Sequence, residues 1–155
     1  MAVSKTSLSA GEIIHAILTA DSEVMARATK VFPVVEDKAE LPYIVYRRTQ
    51  LEQVPTKAGR GADTVGIEIL CYSAGYTEGV ELAEAVRGAL DGAQGESDGL
   101  TMRSCYLSDS EEAWQDDAYV QQLVFTVKIY TIWRQQQKVD IATVAICCCM
   151  LAVKQ

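Results

Sequence analysis

The sequence predicts an α+β domain: a mostly antiparallel sheet of four or more strands, two main helices packed on one of its faces, and a long projecting loop or hairpin. Three observations point that way. Apolar residues recur at helical spacing in two places, at Ile13, Ile14, Ile17 and Leu18 and again at Leu82, Val86, Ala89 and Leu90. Two other stretches, residues 65–72 and 122–129, alternate with a period of two. The chain of 155 residues has the length of one domain and can bury a single core.

The elements follow in order. Ser9-Ala10-Gly11-Glu12 has the form of a capping box, which opens the first helix. Asp21 and Ser22 break its stripe and cap a short second turn through Val24, Met25 and Ala28. Residues 31–35 are extended but carry Pro33, which places them at a sheet edge, and 36–40 form a charged loop. Pro42 opens a strand over Tyr43-Ile44-Val45-Tyr46-Arg47-Arg48, rich in β-branched and aromatic residues. Residues 51–63 show neither periodicity and contain Pro55, Gly59 and Gly61, so they read as a long mobile loop. In 65–72, Val65, Ile67, Ile69 and Cys71 form the core face of the next strand.

Thr77 is the expected cap of the second main helix, with Glu78 and Glu81 at its positive end and Glu84 beside Arg87 on its solvent side. Gly92 stops it, and 93–99 read as a polar linker. Residues 100–107 are a third strand and 109–117 an acidic turn. The last strand runs from Tyr119 to Trp133, with Leu123, Phe125, Val127 and Ile129 inward and Gln122, Thr126 and Lys128 outward. Its length, against about 5–6 residues for a typical strand, implies that it projects or bends. The domain is expected over residues 1–134, leaving 135–155 as an apolar C-terminal tail.

Composition narrows the function. With 49% hydrophobic and 23% charged residues the chain is ordinary globular material. An excess of 21 Asp and Glu over 14 Lys and Arg repels phosphates and excludes tight sequence-independent DNA binding. It is compatible with lining a channel through which DNA slides. The first nine residues have no apolar run, which favours a cytoplasmic origin, and five unevenly spaced cysteines fit reduced thiols.

Sites of chemistry are scarce. His15, the single histidine, falls at the solvent edge of the first helix with no positioned acid–base partner in the pattern. Ala58-Gly59-Arg60-Gly61 lacks the Gly-Lys-[Ser/Thr] and the following helix of a phosphate loop. Asp109, Glu111, Glu112, Asp116 and Asp117 lack the turn glycine of a calcium loop and read as a solvated hairpin turn. Cys147-Cys148-Cys149 are too tightly spaced for zinc, and the uncharged run 141–153 is too short to span a bilayer. The one basic concentration is Arg47, Arg48, Lys57 and Arg60, a candidate contact for an acidic neighbouring subunit or for phosphates, or else a solvated loop base. No catalytic, metal or cofactor-binding residue stands out.

The order of elements resembles a known family. An N-terminal helix, Val31-Phe32-Pro33, Leu41-Pro42-Tyr43-Ile44-Val45-Tyr46, a long loop, Ile67-Glu68-Ile69-Leu70-Cys71-Tyr72, a helix with Glu81-Leu82-Ala83-Glu84-Ala85-Val86 and a final hairpin with Leu123-Val124-Phe125-Thr126-Val127 are similar to the tail-completion or tail-terminator (tail-to-head joining) proteins of long-tailed bacteriophages. The resemblance runs from Leu8 to Trp133, and Leu-Pro-Tyr is its most specific element. It implies a structural virion protein, made in the bacterial cytoplasm, without cofactor or catalytic residue. Such proteins form rings, commonly hexameric, that cap the tail tube. The implied partners are other copies of the chain, the tail tube protein, the head connector protein and DNA passing through the lumen without specific binding, with no membrane partner. The tail from Gln135 has no counterpart in the family pattern.

Rival readings make different predictions. A head-completion protein would bind heads and not tails. A monomeric binding module with a membrane-associated tail would co-sediment with lipid until residues 141–155 are deleted. An enzyme would need a pocket with convergent polar groups.

Overall fold

The computed structural model describes residues 5–34, 39–56 and 59–131, with side chains omitted at 56, 59 and 60. A 3₁₀ turn, Ser7–Ser9, leads into α1 (Ala10–Ala20), α2 (Ser22–Arg27), β1 (Lys30–Pro33), β2 (Tyr43–Thr56), β3 (Gly59–Ser73), α3 (Tyr76–Leu90), β4 (Gly95–Ser97), β5 (Leu100–Gln115) and β6 (Ala118–Thr131). The class is α+β as expected, but the sheet has six strands in the order β1-β2-β3-β6-β5-β4 and is mixed. β1 runs parallel to β2, while every other neighbouring pair is antiparallel.

One face of the sheet carries the helices. Ile13, Ile14 and Leu18 of α1, Val24 of α2 and Leu82, Ala83, Val86 and Leu90 of α3 pack on Val31, Ile44, Val65, Ile67, Ile69, Cys71, Met102, Leu123, Phe125, Val127 and Ile129. The two-residue period of the strands and the 3.6-residue period of the helices place these side chains in one layer. Contact is closest at Gly79 of α3, where a Cβ would lie 2.5 Å from Ser73 Oγ.

Local chemistry departs from several expectations. Ser9 makes no side-chain cap, because the preceding 3₁₀ turn, capped by Thr6, already holds the helix entry and Glu12 pairs with Lys5. Asp21 does cap α2, its Oδ1 accepting from Glu23 N at 2.9 Å and Val24 N at 3.0 Å. The N-cap of α3 is Gly75 and not Thr77, which lies inside the helix. Arg87 reaches Asp91, at 3.8 Å, instead of Glu84. Gly92 adopts φ 78°, as a helix stop requires, and its N–H continues to Cys105 O at 2.7 Å. Residues 95–97 of the expected linker pair with β5.

The largest correction concerns the two long hairpins. Most of the stretch 51–63 is strand, because β2 and β3 pair from Tyr43↔Tyr72 out to Thr56↔Gly59. Register shifts between Arg48 and Gln50 and between Gln53 and Pro55 break the alternation, which hid the strand from a periodicity search. At the first shift Gly66 lies opposite, where a Cβ would come within 2.8 Å of Thr49 Oγ1. Likewise 109–115 is strand, and the acidic turn shrinks to Asp116 and Asp117, whose φ values of 51° and 59° are those of a two-residue type I′ turn. The expected extension of β6 to Trp133 and the tail 135–155 with Cys147, Cys148 and Cys149 lie outside the described residues.

Candidate functional site

The four basic residues do not form one cluster. Adjacent strand residues point to opposite faces. Arg47, opposite Glu68, therefore lies on the helix-free face, and Arg48, opposite Ile67, on the helix side. Arg47 Nε pairs with Glu68 Oε2, and Gln122 Nε2 donates to Glu68 Oε1 at 2.5 Å, so both carboxylate oxygens have partners. Glu68 is 5% exposed, whereas the Arg47 side chain is 54% exposed. The pairing holds the Arg47 guanidinium still further above its ordinary pKa. Arg48 Nη1 donates to Leu8 O at 3.0 Å. Lys57 lies outside the described residues, and of Arg60 only its backbone place in β3 is described.

The acidic residues divide in the same way. Asp109 and Glu111 oppose Val124 and Gln122 on the helix-free face, while Glu112 opposes Gln121 on the helix side and accepts from its Nε2 at 3.2 Å. Strand alternation separates the carboxylates that a cation would need together. Among the described residues no group of three or more His, Cys, Asp or Glu side chains could hold a metal ion. His15 is half-buried, its ring 5.8 Å from that of Tyr46, more enclosed than its expected place at the solvent edge. A shallow groove between α2 and α3 is bordered by Glu23, Arg27, Glu81 and Glu84, all on the outer surface. Among the described residues no helix is long and apolar enough to cross a membrane.

What the structure does bring together is aromatic. Tyr76, Trp114 and Tyr119 meet where β5 and β6 reach the start of α3, with ring centroids 5.9 Å (Tyr76–Tyr119) and 4.6 Å (Trp114–Tyr119) apart. A hydrogen bond to Glu112 raises the Tyr76 phenol above its ordinary pKa. Trp114 remains 58% exposed, an unusual position for so large an apolar side chain. The sequence offered one sign of it, a tryptophan inside an otherwise acidic run.

The backbone edges are the second feature. β1 covers β2 only from Tyr43 to Tyr46, and Val34 N extends this by one bond to Tyr46 O at 2.9 Å. Beyond it, residues 47–56 of β2 have β3 as their single described strand neighbour. On the opposite side β4 covers Leu100 to Met102, and the end of α3 covers Cys105 and Leu107 through Gly92 N and Asp91 Oδ1. Residues 108–115 of β5 then have β6 as their single described strand neighbour. β6 itself, whose length implied that it projects or bends, lies inside the sheet between β3 and β5 and has no edge to offer along its paired residues.

Against known proteins, residues 12–132 match the family described as tail completion protein gp17. No curated protein matches the sequence. Among solved structures, a chain from the virion of a native gene transfer agent particle superposes with a TM-score of 0.69 at 21% identity, covering 80% of this chain and 98% of that one. That likeness extends the agreement to the fold.

Proposed function

The chain belongs to the tail completion protein gp17 family, a structural component of the phage tail and so of the virion, and on that footing we propose that its copies close into a hexameric ring that caps the tail tube and joins it to the head. The observation that carries the reading is the family match, which runs from the first turn of α1 through β6. In this reading the chain acts by assembly, which is supported by the family being a structural virion component. Its negative charge of −7 suits a lumen through which DNA moves without adhering.

In this reading Arg47, Arg48, Lys57 and Arg60 remain the candidate contacts for acidic residues of a neighbouring subunit, with Arg47 also paired to Glu68 and Arg48 also bonded to Leu8 O of its own chain. Tail tube and head connector meet the two ends of the ring. The experiment adds purified protein to capless tails and, separately, to heads that lack their completion protein. Binding to tail ends, with rings visible by negative-stain imaging and a mass several times 16.9 kDa by light scattering, is the expected result. Binding to heads alone would replace this reading with a head-side connector.

A further inference from the structure

We propose that the end of the sheet built by Tyr76, Glu112, Trp114 and Tyr119 is a docking surface for an arginine-bearing segment of another virion protein. The proposal rests on the chain's place in the phage tail and not on the closure of a ring. Tyr119 is the centre of the site. Trp114 and Tyr76 each stand edge-to-face against it, at interplanar angles of 72° in both pairs. The strand ladder pairs Trp114 with Tyr119 across the two-residue turn, and Tyr76 opens α3 next to Tyr119. The three rings hold one another in place, so a partner that covers them has little side-chain freedom left to remove. Yet Trp114 and Tyr76 are both at least half exposed, which leaves a wide aromatic surface in water.

Charge sets the chemistry of the partner. Glu112 lies on the same face of β5 as Trp114, two residues away, and accepts from Gln121 Nε2 at 3.2 Å and from the Tyr76 phenol. Both donors are neutral, and among the described residues no Lys or Arg pairs with Glu112, Asp116 or Asp117. Residues 104–127 hold five acids and no Lys or Arg at all. Burial first and the charge of Asp116 second raise the Tyr43 phenol, so the turn carboxylate also lies near the stacked Tyr43–Tyr72 pair on the helix-free face. The face of an aromatic ring, that of Trp above all, attracts a cation. A carboxylate beside such a ring suits a guanidinium better than an ammonium, because the guanidinium plane stacks while its N–H fork pairs with the oxygens. The same carboxylates repel phosphate, which excludes nucleic acid as the occupant.

An unlike protein fits this surface better than a second copy. The described arginine side chains already have partners in their own chain: Arg27 with Glu23, Arg47 with Glu68, Arg48 with Leu8 O, Arg87 with Asp91, and Arg103 over the Tyr130 ring at 5.4 Å. A second copy would have to give up one of these contacts to fill the site, whereas a basic partner brings an arginine of its own. At a net charge of −7, two copies also repel each other more than either repels a basic neighbour. Tyr, Trp and Arg are the residues that protein interfaces concentrate at their energetic centre. Here the chain supplies the first two and the partner the third.

The test titrates the full chain with blocked hexapeptides that alternate glycine with arginine, with lysine, or with citrulline, which keeps the arginine shape without its charge. Trp114 reports binding by fluorescence once Trp133→Phe removes the other tryptophan. A saturable change is expected with the arginine peptide, at an affinity about threefold or more above that of the lysine peptide, and none with citrulline. Glu112→Gln should weaken arginine binding about fivefold or more. Tyr76→Leu, the second variant, should weaken it about threefold. Circular dichroism checks that each variant folds. No saturable change, equal affinity for any two peptides, or unchanged affinity in both variants overturns the proposal. Glu112→Gln should also bind capless tails or completion-free heads about fivefold more weakly than the wild type, and unchanged binding to both overturns it. Acrylamide quenching separates a second copy from an unlike partner. Trp114 is expected to be as open in any ring as in the single chain; shielding within a ring gives the surface to a neighbouring copy and overturns the assignment. A chain that forms no ring, alone or on tail ends, overturns the ring reading, while the peptide titration still decides this one.

Discussion

Removing Arg47 probes whether its charge serves the fold or the assembly. Glu68 is almost fully buried, and its two oxygens are served by Arg47 and Gln122. In Arg47→Ala a buried carboxylate keeps one neutral donor. Breaking a fully buried ion pair costs about 3–5 kcal/mol, and an exposed pair is worth about 0–1 kcal/mol. This pair has one buried and one half-exposed member, and a hydrogen bond to a charged group contributes about 1.5–3 kcal/mol. The expected loss is therefore about 2 kcal/mol, or about 7 °C in Tm for a domain of this size. Thermal and urea unfolding followed by circular dichroism, at one fixed protein concentration because assembly adds its own stability, measures it. Glu68→Gln removes the charge and keeps the shape, so Arg47→Ala in that background should cost under about 0.5 kcal/mol, the coupling a double-mutant cycle isolates. An equal loss in both backgrounds would refute the reasoning. An unchanged Tm with weakened assembly would move Arg47 to the subunit interface.

Other consequences are directly measurable. Gly79→Ala should destabilise by about 1–3 kcal/mol through overpacking, since its Cβ would meet Ser73 Oγ at 2.5 Å, and adding Ser73→Ala should recover part of the loss in urea unfolding. Replacing Asp116-Asp117 by Asn-Gly should raise stability by roughly 0.5–1 kcal/mol, because both positions have positive φ and the pair suits a type I′ turn. Burial pushes the Cys71 and Cys105 thiols from 9.0 up to about 12, Asp91 adding to the effect at Cys105. Both states hold these protons below pH 9. Between pH 9 and about 12 the unfolded chain binds fewer, so stability should fall as pH rises, by at most about 1.4 kcal/mol per thiol per unit. Cys71→Ala should flatten that slope in urea titrations, and peptide mapping should find both thiols unalkylated in the folded protein at pH 8.

What the sequence revealed and what it hid divide along a physical line. The helices and the central strands were legible because one face of each is buried. Val65, Ile67, Ile69 and Cys71, and Leu123, Phe125, Val127 and Ile129, must alternate with outward residues if they are to share a core. The outer halves of the hairpins bury nothing on that scale. Residues 52–55 and 109–115 are exposed throughout, so neither hydrophobic alternation nor strand-forming side chains mark them, and Pro55, Gly59 and a run of acids imitate a loop. These segments are strands because of their ladders to β3 and β6, a non-local fact. The basic quartet failed as a cluster for a related reason: residues near in sequence on a strand face opposite ways, so Arg47 met Glu68 from the next strand while Arg48 turned to Leu8. A stretch that is strand without a core to bury has a sequence freed from the demands of folding. In this chain the outer half of β5 has filled with Asp109, Glu111 and Glu112 while residues 52–55 of β2 keep a single charge, at Glu52, so only the ladders to β6 and β3, and no pattern of side chains, make these segments strand.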